Sequence, residues 1–361
     1  MTNDWRDKYD EVGYFSEGFA PVELGGKWGS VNKRGKEVVP LKYDWVGHFY
    51  EGLAGVKLGD LYGFVNKKGE EVIELKYDAV GWFSEGLTRV RLGDDYTGKW
   101  GFIDKTDKVV IELKYDSVEH FSGGFAPVNH GWWGFINKTG EEVVPLKYDR
   151  VHHFSEGLAQ VKRNGKWGFV DKTGNTVVPL KYDDAYDFSE GLAGVNDGWW
   201  GFINKKGEEV IELKYDDVGY FSKGTAEVRL KGLWGLVDAT GKKVTPVKYD
   251  HIDDFSEGFA GVELDGLWGF VNKKGEEVIE PKYDSVGFFD EGRAPVELDG
   301  KCGFIDKTGK VVISLKYDWV IDFYDGLAEV ELDSKWGFID KKGNEYWDMT
   351  EDQARERMKK R

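Results

Sequence analysis

Short segments in which apolar residues alternate with polar or small residues recur along the whole chain. Between residues 52 and 58, Ala54, Val56 and Leu58 fall on one face, and Trp100 and Phe102 share a face in a second kind of segment. Alternation of this kind is typical of half-buried β-strands. These two kinds of segment therefore predict two strands in each copy of the pattern.

A third kind of segment is rich in β-branched residues but contains proline in five copies. The prolines are Pro40, Pro145, Pro179, Pro246 and Pro281. Because proline has no N–H to donate to a strand ladder, it is confined to sheet edges, strand ends and bulges. We therefore expect the third strand to lie at the edge of its sheet or to end there.

The joints between these segments carry turn residues. Asp265-Gly266 and Asp299-Gly300 match two-residue hairpin loops, and the Asn-Lys-Lys-Gly run at 66–69 places glycine where a positive φ is favoured. Each copy is therefore predicted to be a three-stranded antiparallel meander. A Tyr-Asp-x-Val-x-x-Phe crossover follows it and is predicted to form a fourth, poorer strand.

The tyrosine of a Lys-Tyr-Asp motif marks the register of ten copies. It occurs at Tyr9, Tyr43, Tyr77, Tyr115, Tyr148, Tyr182, Tyr215, Tyr249, Tyr283 and Tyr317. Successive positions are 33 or 34 residues apart, except for one step of 38. Extra residues around 94–97 account for the long step, and they fall in a predicted loop, where added length costs little closure entropy.

Ten copies without a linker predict one all-β domain of tandem antiparallel β-meander repeats of about 34 residues. We place this single domain at 4–347 and a capping helix or tail at 348–361. An open superhelical array is preferred to a closed propeller-like ring, because the unit is short for a four-stranded blade and ten copies exceed the usual blade number. The ring stays an alternative, since 5–10 resemble the end of the third strand and 343–347 its beginning.

Two glycines occur in all ten copies. One belongs to Phe-Ser-Glu-Gly and the other to Trp-Gly, whose tryptophan is replaced by Tyr62 and Cys302 in two copies. The backbone at the Trp-Gly glycine is therefore more constrained than the ring before it. We expect a positive φ there or the close approach of another strand.

The combined motifs resemble those of a known repeat family. The run Trp-Gly-Phe-Ile-Asn-Lys-x-Gly at 133–140 and 200–207, together with Lys-Tyr-Asp and Phe-Ser-Glu-Gly-Leu-Ala, resembles the WG (KWG) β-repeat family, which is common in bacterial proteins. The resemblance covers nearly the whole chain. It implies a β-rich tandem array of variable copy number and no shared catalytic activity, so no active-site residues carry over.

The net charge limits the classes of partner that we expect, and the cysteine content indicates the cellular compartment. A formal net charge of −16 disfavours nucleic acid as a partner, because such binding depends on clustered Lys and Arg. A single cysteine, Cys302, forms no intramolecular disulfide, and no leader pattern follows Met1, so we expect a cytoplasmic protein. No apolar run approaches the length of a membrane span, and we expect a monomer that does not bind membranes.

Repeated carboxylates suggest turns rather than metal sites or catalysis. The aspartates that follow the tyrosines, such as Asp44, are predicted to cap local backbone amides. The glutamate of Ser-Glu-Gly, as in Glu17, becomes Gly123 and Lys223 in two copies, so we expect a solvated turn residue.

Three histidines occupy the same repeat position, directly before the constant Phe. Zinc would require the imidazoles of His48, His120 and His153 to converge on one ion, and Trp82 interrupts the row. We therefore expect hydrated or stacked imidazoles. No convergent set of nucleophile, base or metal ligands indicates an enzyme, and we predict no catalytic residues, no metal and no cofactor.

Variable aromatic residues of the crossover are the candidate ligand-binding residues. Most precede the constant Phe and two follow the Asp; they are Tyr14, Trp45, His48, Trp82, His120, His153, Tyr220, Phe288 and Trp319. Asp187, Asp254 and Asp322 take the position before Phe in three other copies. Because stacked copies present equivalent positions side by side, these residues either pack between copies or line one continuous surface.

These patterns predict a non-enzymatic repeat scaffold. A mixed aromatic and acidic surface suits a protein partner or a small cationic or sugar ligand, through stacking and cation–π contacts. A carbohydrate-binding or cell-wall-binding array is the alternative. The segment after Trp347 departs from the repeat, and Thr350 to Gln353 fit a capping box of a short helix that covers the last copy.

Overall fold

The computed structural model describes residues 5–360. In this range a 3-10 helix spans Trp5–Lys8, an α-helix spans Glu351–Lys359, and the remaining regular structure is β. The predicted all-β class, the tandem repeats and the short C-terminal helix are confirmed.

Each copy begins with a two-residue strand in the crossover and continues with longer strands. The first strands are Glu11–Val12, Trp45–Val46, Ala79–Val80, Ser117–Val118, Arg150–Val151, Asp184–Ala185, Asp217–Val218, His251–Ile252, Ser285–Val286 and Trp319–Val320. The second strands are Phe19–Leu24, Leu53–Leu58, Leu87–Leu92, Phe125–Asn129, Leu158–Arg163, Leu192–Asn196, Thr225–Leu230, Phe259–Leu264, Arg293–Leu298 and Leu327–Leu332. The third strands are Lys27–Asn32, Leu61–Asn66, Lys99–Asp104, Trp133–Asn137, Lys166–Asp171, Trp200–Asn204, Leu233–Asp238, Leu267–Asn272, Lys301–Asp306 and Lys335–Asp340. The fourth strands are Glu37–Tyr43, Glu71–Tyr77, Val109–Tyr115, Glu142–Tyr148, Thr176–Tyr182, Glu209–Tyr215, Glu277–Tyr283, Val311–Tyr317 and Glu345–Trp347.

Strands pair in chain order, so that each sheet is an antiparallel meander with the crossover strand at one edge. In the second copy Val46 pairs with Val56, and Val56 pairs with Gly63. Within residues 5–360, nine sheets have four strands and the seventh has three. There the buried Thr245 hydroxyl accepts the Leu236 N–H at 2.8 Å, in a segment that continues into a proline. The predicted three-stranded meander is confirmed, and the crossover forms the predicted poorer strand, which is the two-residue first strand of each sheet.

The proline-bearing strand lies at the outer edge of its sheet, as predicted, and it bulges beside the Trp-Gly glycine. Trp167 pairs with Tyr182 and Phe169 pairs with Val178. An advance of two residues along the third strand therefore corresponds to four residues along the fourth strand. A Cβ at Gly168 would lie 2.5 Å from the Val178 carbonyl oxygen. Close approach of a neighbouring strand therefore explains this glycine.

Positive φ values occur instead in the Ser-Glu-Gly turn. Glu17 has a φ of 51° and Gly18 a φ of 89°. Two consecutive residues with positive φ are characteristic of a type I′ hairpin turn, whose second position is best filled by glycine. This explains why the Gly of Phe-Ser-Glu-Gly is present in every copy.

The hydrophobic core lies between successive copies rather than within one. Val39 and Tyr43 from the first copy pack with Phe49, Val56 and Val65 from the second. The phenylalanine of the third strand also contacts the crossover phenylalanine of the next copy, as in the Phe102–Phe121 pair at 4.8 Å. A single copy therefore lacks the partner surface that buries its apolar face.

The glutamate of Ser-Glu-Gly is an exposed turn residue, as predicted for Glu17, and it also bridges to the following copy. The Glu17 carboxylate accepts the N–H groups of Glu51 and Gly52, each at 2.9 Å, and pairs with Lys67 at 3.1 Å. Burial alone would raise the pKa of Glu17, but the bonds from Lys67 and Gly52 outweigh it and lower that pKa. Successive turns stack so closely that a carboxylate on one reaches the amides of the next.

The aspartates after the tyrosines cap hairpin turns of their own copies, as predicted. Asp44 Oδ2 accepts the Gly59 N–H at 2.7 Å, and its other oxygen pairs with Lys27 of the preceding copy at 2.6 Å. The hydrogen bond from Lys27, followed by that from Gly59, lowers the pKa of Asp44.

The C-terminal helix packs on the last Ser-Glu-Gly-type turn. Its capping box joins Thr350 and Gln353 as predicted, and Ala354 is fully buried. Arg355 donates to the carbonyl oxygens of Tyr324 and Asp325 at 3.2 and 3.0 Å. The helix thus covers backbone groups that a following copy covers elsewhere.

The structure divides into two compact units. The first contains the residues up to Phe188 together with Lys205–Gly207, and the second contains Ser189–Asn204 together with the residues from Glu208 onward. The extra residues at 94–97 lie in the loop between two strands of the first unit, as expected.

Low pH should destabilise the second unit, because it protonates the Glu345 carboxylate. Its carboxylate receives hydrogen bonds from Lys316, Tyr317 and Trp347; burial opposes them, and the net effect lowers the pKa of Glu345 to about 2. Because the folded-state pKa lies below the ordinary value of 4.5, the stabilisation is present above pH 4.5 and is lost as the pH falls towards 2. We expect Glu345→Gln to lower the unfolding temperature at pH 7, and this difference should narrow towards pH 2.

Thermal unfolding followed by circular dichroism at pH 7 to 2 measures this difference. Glu74→Gln, which removes an exposed carboxylate from a fourth strand, controls for the loss of one charge. A constant gap between the parent protein and Glu345→Gln over the whole pH range would contradict the assignment.

Candidate ligand-binding surface

In the first unit, side chains that precede the constant Phe in successive copies lie next to one another. Tyr14 stacks on His48 with ring centroids 3.6 Å apart and planes 19° apart. Trp82 lies 5.2 Å from His120, and His120 lies 4.7 Å from His153. The prediction of a stacked imidazole is confirmed for His48, whereas the rings of His120 and His153 are tilted by 35° to 41° against their neighbours.

Local structure turns these side chains away from the core. The constant Phe is buried, as Phe49 shows, and the Gly47 N–H donates to the Gly55 carbonyl at 2.9 Å, which holds the crossover against the second strand. The residue between these two anchors, His48, therefore projects from the opposite side of the chain. The Phe is present in all ten copies, and the crossover bond recurs, for example from the Glu119 N–H to the Pro127 carbonyl at 2.9 Å.

Two further variable positions per copy adjoin this row, and sequence reasoning did not identify them. In the second copy they are Gly47 and Gly55, and in the third they are Gly81 and Arg89, whose backbones are joined by the 2.9 Å Gly81 N–H to Arg89 carbonyl bond. Their variation from copy to copy, beside otherwise constant strand residues, was the available signal.

A cleft of about 420 Å³ opens among the first three copies. Its walls include the rings of Trp28, Trp45 and Trp82, together with His48 and Arg89. Three of the predicted binding residues, Trp45, His48 and Trp82, thus line one cavity. The volume lies in the range of small-molecule binding sites.

Small residues keep this cleft open. Gly13, Gly47 and Gly81 line it, and the equivalent positions in the next two copies carry Glu119 and His152. The Trp45 ring lies over the glycine backbone, where a Cβ at Gly47 would come within 2.7 Å of the ring. The opening is therefore specific to the first three copies of this unit.

Arg89 supplies the cation at the cleft. Its guanidinium donates to the Val118 carbonyl at 2.8 Å and lies 5.7 Å from the Trp82 ring and 5.6 Å from the Trp100 ring. Burial lowers the pKa of Arg89, and the charge of Glu119 opposes that effect. The guanidinium is therefore held in one orientation by aromatic rings and a backbone acceptor.

One of the two histidines beyond the cleft lies beside a carboxylate. His153 Nε2 lies 2.7 Å from Glu119 Oε2, and this contact is the main cause that lowers the pKa of Glu119. Burial lowers the pKa of His120. Asp187 continues the sequence of side chains and accepts a 2.8 Å hydrogen bond from Gln160, while burial raises its pKa.

The predicted residues of the second unit are divided between separate places. Tyr220 lines a cavity of about 280 Å³ with Glu227, Asp253 and Asp254. Burial, followed by the charge of Asp254, raises the pKa of Glu227, and burial raises the pKa of Asp253. This cavity combines an aromatic ring with three carboxyl groups.

Trp319 lines another cavity of this unit, about 270 Å³ in volume, with Cys302 and Asp322. Its ring contacts Trp336 edge to face at 5.2 Å. Burial raises the pKa of both Asp322 and the Cys302 thiol. Phe288 is exposed and is not among the residues that line this cavity.

Neither a candidate metal site nor a membrane-spanning helix occurs within residues 5–360. No group of three or more His, Cys, Asp or Glu side chains in that range is arranged to hold a metal ion. The helices within the same range are too short or too polar to cross a membrane.

A family model described as "WG containing repeat" matches ten consecutive segments. They are residues 8–28, 28–62, 62–96, 100–131, 133–167, 167–198, 200–234, 234–268, 268–302 and 303–336. A comparison with curated proteins found no match.

Several solved structures show distant similarity. A eukaryotic initiation factor is 11% identical, with a TM-score of 0.44, 92% of this chain covered and 96% of the other. Hsv2p from Kluyveromyces lactis is 12% identical, with a TM-score of 0.33 and coverage of 63% and 92%. The tricorn protease is 10% identical, with a TM-score of 0.26 and coverage of 95% and 44%. These likenesses are too weak to indicate a shared fold or function.

Proposed function

The chain belongs to the family of WG-containing repeats, and from this premise we propose that it is a non-enzymatic scaffold that binds a ligand through the variable crossover residues. The family is defined by its repeat. The observation that carries the proposal is the row in the first unit, where Trp82, His120 and His153 lie in successive contact beside an open cleft. Positions that the scaffold leaves variable are the ones that a binding surface can use.

Exposure of the rings supports binding over packing alone. Trp82 is 43% exposed and Tyr220 is 55% exposed, whereas the crossover phenylalanines beside them are buried. A ring recruited only for packing between copies would be expected to lose most of its exposed surface. Large exposed aromatic residues in a cluster are typical of interaction sites.

Charge favours a neutral or cationic partner. The net charge is −16, and the cavity beside Tyr220 contains Glu227, Asp253 and Asp254. A protein partner with a basic segment, or a small cationic or sugar ligand, suits this surface, whereas nucleic acid and anionic membranes do not. We propose that the protein acts as a monomer in the cytoplasm, without a cofactor. Carbohydrate or cell-wall binding is the alternative, favoured by the tryptophan-lined cleft.

Replacing Trp82, Tyr220 and Phe288 together by serine should abolish partner capture while preserving the fold. All three rings are partly exposed, so their loss removes contact area for a ligand but little core packing. Immobilised protein is incubated with an extract of the source organism, bound partners are identified by mass spectrometry, and circular dichroism reports the fold.

A matched control removes three other exposed aromatic residues. Trp132, Trp199 and Tyr96 are each more than half exposed and lie in hairpin loops outside the crossover. Their replacement by serine should leave capture intact. Unfolding of the crossover variant would show that its rings are packing residues, and equal loss of capture in both variants would refute a specific surface.

A further inference from the structure

We infer that the cleft among the first three copies is a saccharide-binding site for an uncharged pyranose unit of a glycan. This inference rests on the proposed binding function and assigns a ligand class to one part of that surface. The site comprises Trp28, Trp45, Trp82, His48 and Arg89.

The tryptophans supply faces for a ring-shaped ligand. Trp45 and Trp82 line the cleft, and each is more than two fifths exposed. The Trp45 ring is supported by Gly47 and Gly55, whose Cβ positions would fall 2.7 and 3.3 Å from it. The two glycines leave room for the Trp45 ring, part of which stays exposed, and the C–H face of a pyranose packs on such an apolar surface.

Hydrogen-bonding groups lie at the margins of these faces. Within residues 5–360, Arg89 Nε and His48 Nδ1 are buried and make no hydrogen bond. Burial lowers the pKa of His48, which favours the neutral imidazole at pH 7. The Arg89 and His48 side chains both line the cleft, and a guanidinium and an imidazole are groups that sugar hydroxyls can bond.

Charge distinguishes a sugar from the other candidate ligands. A quaternary ammonium or a lysine side chain would meet the Arg89 guanidinium in the same cleft, and like charges repel. An anionic ligand would meet Glu11, which also lines the cleft. One cation and one carboxylate leave the site close to neutral, and an uncharged polyhydroxyl ring fits that balance.

Cavity shape distinguishes a sugar from a proline-rich peptide. Peptides of that kind bind as extended polyproline II helices along aromatic-lined grooves, so they need several contacts along the length of a groove. Here the cleft does not continue along the row of aromatic residues. In the next two copies Glu119 and His152 stand where the first three copies have glycine. A compact cavity of about 420 Å³ suits one or two sugar rings better than a long strand.

Affinity electrophoresis tests this inference directly. The full chain is run in native gels that contain laminarin, dextran, hydroxyethyl cellulose or galactomannan, with alginate as an anionic probe. We expect retardation by at least one neutral polysaccharide and none by alginate. Titration calorimetry with the corresponding oligosaccharide then gives the dissociation constant, with tetramethylammonium and a proline-rich peptide as competitors.

Substitutions locate the binding to the cleft. Trp45→Ala and Trp82→Ala should each weaken binding about tenfold or more, and the Phe variants should restore part of it by stacking. Gly55→Gln places in the cleft the residue that the fifth copy carries as Gln160, and it should abolish binding with the fold retained. Trp132→Ala removes a comparably exposed ring of the same unit outside the cleft and should bind as the parent does.

Three results would overturn the assignment. They are no retardation by any neutral polysaccharide, retardation that Trp132→Ala reduces as much as Trp45→Ala does, and displacement by tetramethylammonium or the peptide at lower concentration than by the oligosaccharide. If saccharides fail but the crossover triple variant still loses partner capture, only the ligand class is wrong. If capture is also insensitive to the triple variant, the proposed function fails with it.

Discussion

Gly168→Ala should destabilise the first unit by about 3 kcal/mol or more. The added methyl group would stand 2.5 Å from the Val178 carbonyl oxygen and 2.8 Å from the Pro179 carbonyl group. These neighbours are backbone atoms of a bulged edge strand, so they cannot rotate away as a side chain would. Relief requires the fourth strand to separate from the third, and that strand also carries the residues that pack on the next copy.

Chemical denaturation followed by tryptophan fluorescence and circular dichroism measures the loss. Gly219→Ala is the matched control, because its φ is not positive and its Cβ would meet Glu227 at an ordinary 3.5 Å. We expect the control to stay within about 1 kcal/mol of the parent. Similar losses from both substitutions would show that strand approach is not what selects glycine at the Trp-Gly position.

Trp167→Ala should cost about 3–5 kcal/mol, the usual loss for a buried tryptophan. The Trp167 side chain is only 5% exposed, its ring meets His152 edge to face at 5.1 Å, and the Lys162 ammonium lies 5.2 Å from the ring centroid. Removing the ring leaves a cavity that the flanking strands cannot close. The loss should appear as a lower midpoint or as separate unfolding of neighbouring copies.

Trp336→Ala provides the comparison, because Trp336 occupies the same repeat position but is 49% exposed. Its truncation should lower the free energy of unfolding by about 1 kcal/mol, because the half-exposed ring buries less apolar surface on folding. Equal destabilisation by the two variants would mean that the motif tryptophan acts through the strand pairing it shares, and not through burial of its ring.

Sequence reasoning recovered much of the candidate site, and the reason is the repeat itself. Equivalent positions of stacked copies must be neighbours, so Tyr14 could be expected beside His48 from the repeat register alone. Gly55 was missed because its contribution is the absence of a side chain, which only the surrounding rings make meaningful. Arg89 was missed because it lies on a strand whose other copies carry small or polar residues.

The bridging role of the Ser-Glu-Gly glutamate shows a different limit. Its replacement by Gly123 and Lys223 in two copies suggested a solvated residue. Lys223 is exposed, and its ammonium also donates to the Phe255 carbonyl of the next copy at 2.5 Å. A substituted copy can therefore keep a bridge by other chemistry, which a comparison of residue types cannot reveal. The choice between an open array and a closed ring stays a prediction.

The sequence by itself determined the repeat, the strands, the turns and the helix cap. These depend on local causes, such as alternation of apolar residues, positive φ at Gly18 and the Thr350 to Gln353 capping box, which act within a few residues. The tertiary structure decided which variable residues enclose a cleft and which are tied to a neighbour. That outcome depends on distances between side chains from different copies, as between Trp45, Trp82 and Arg89, and no local pattern encodes the packing that sets those distances.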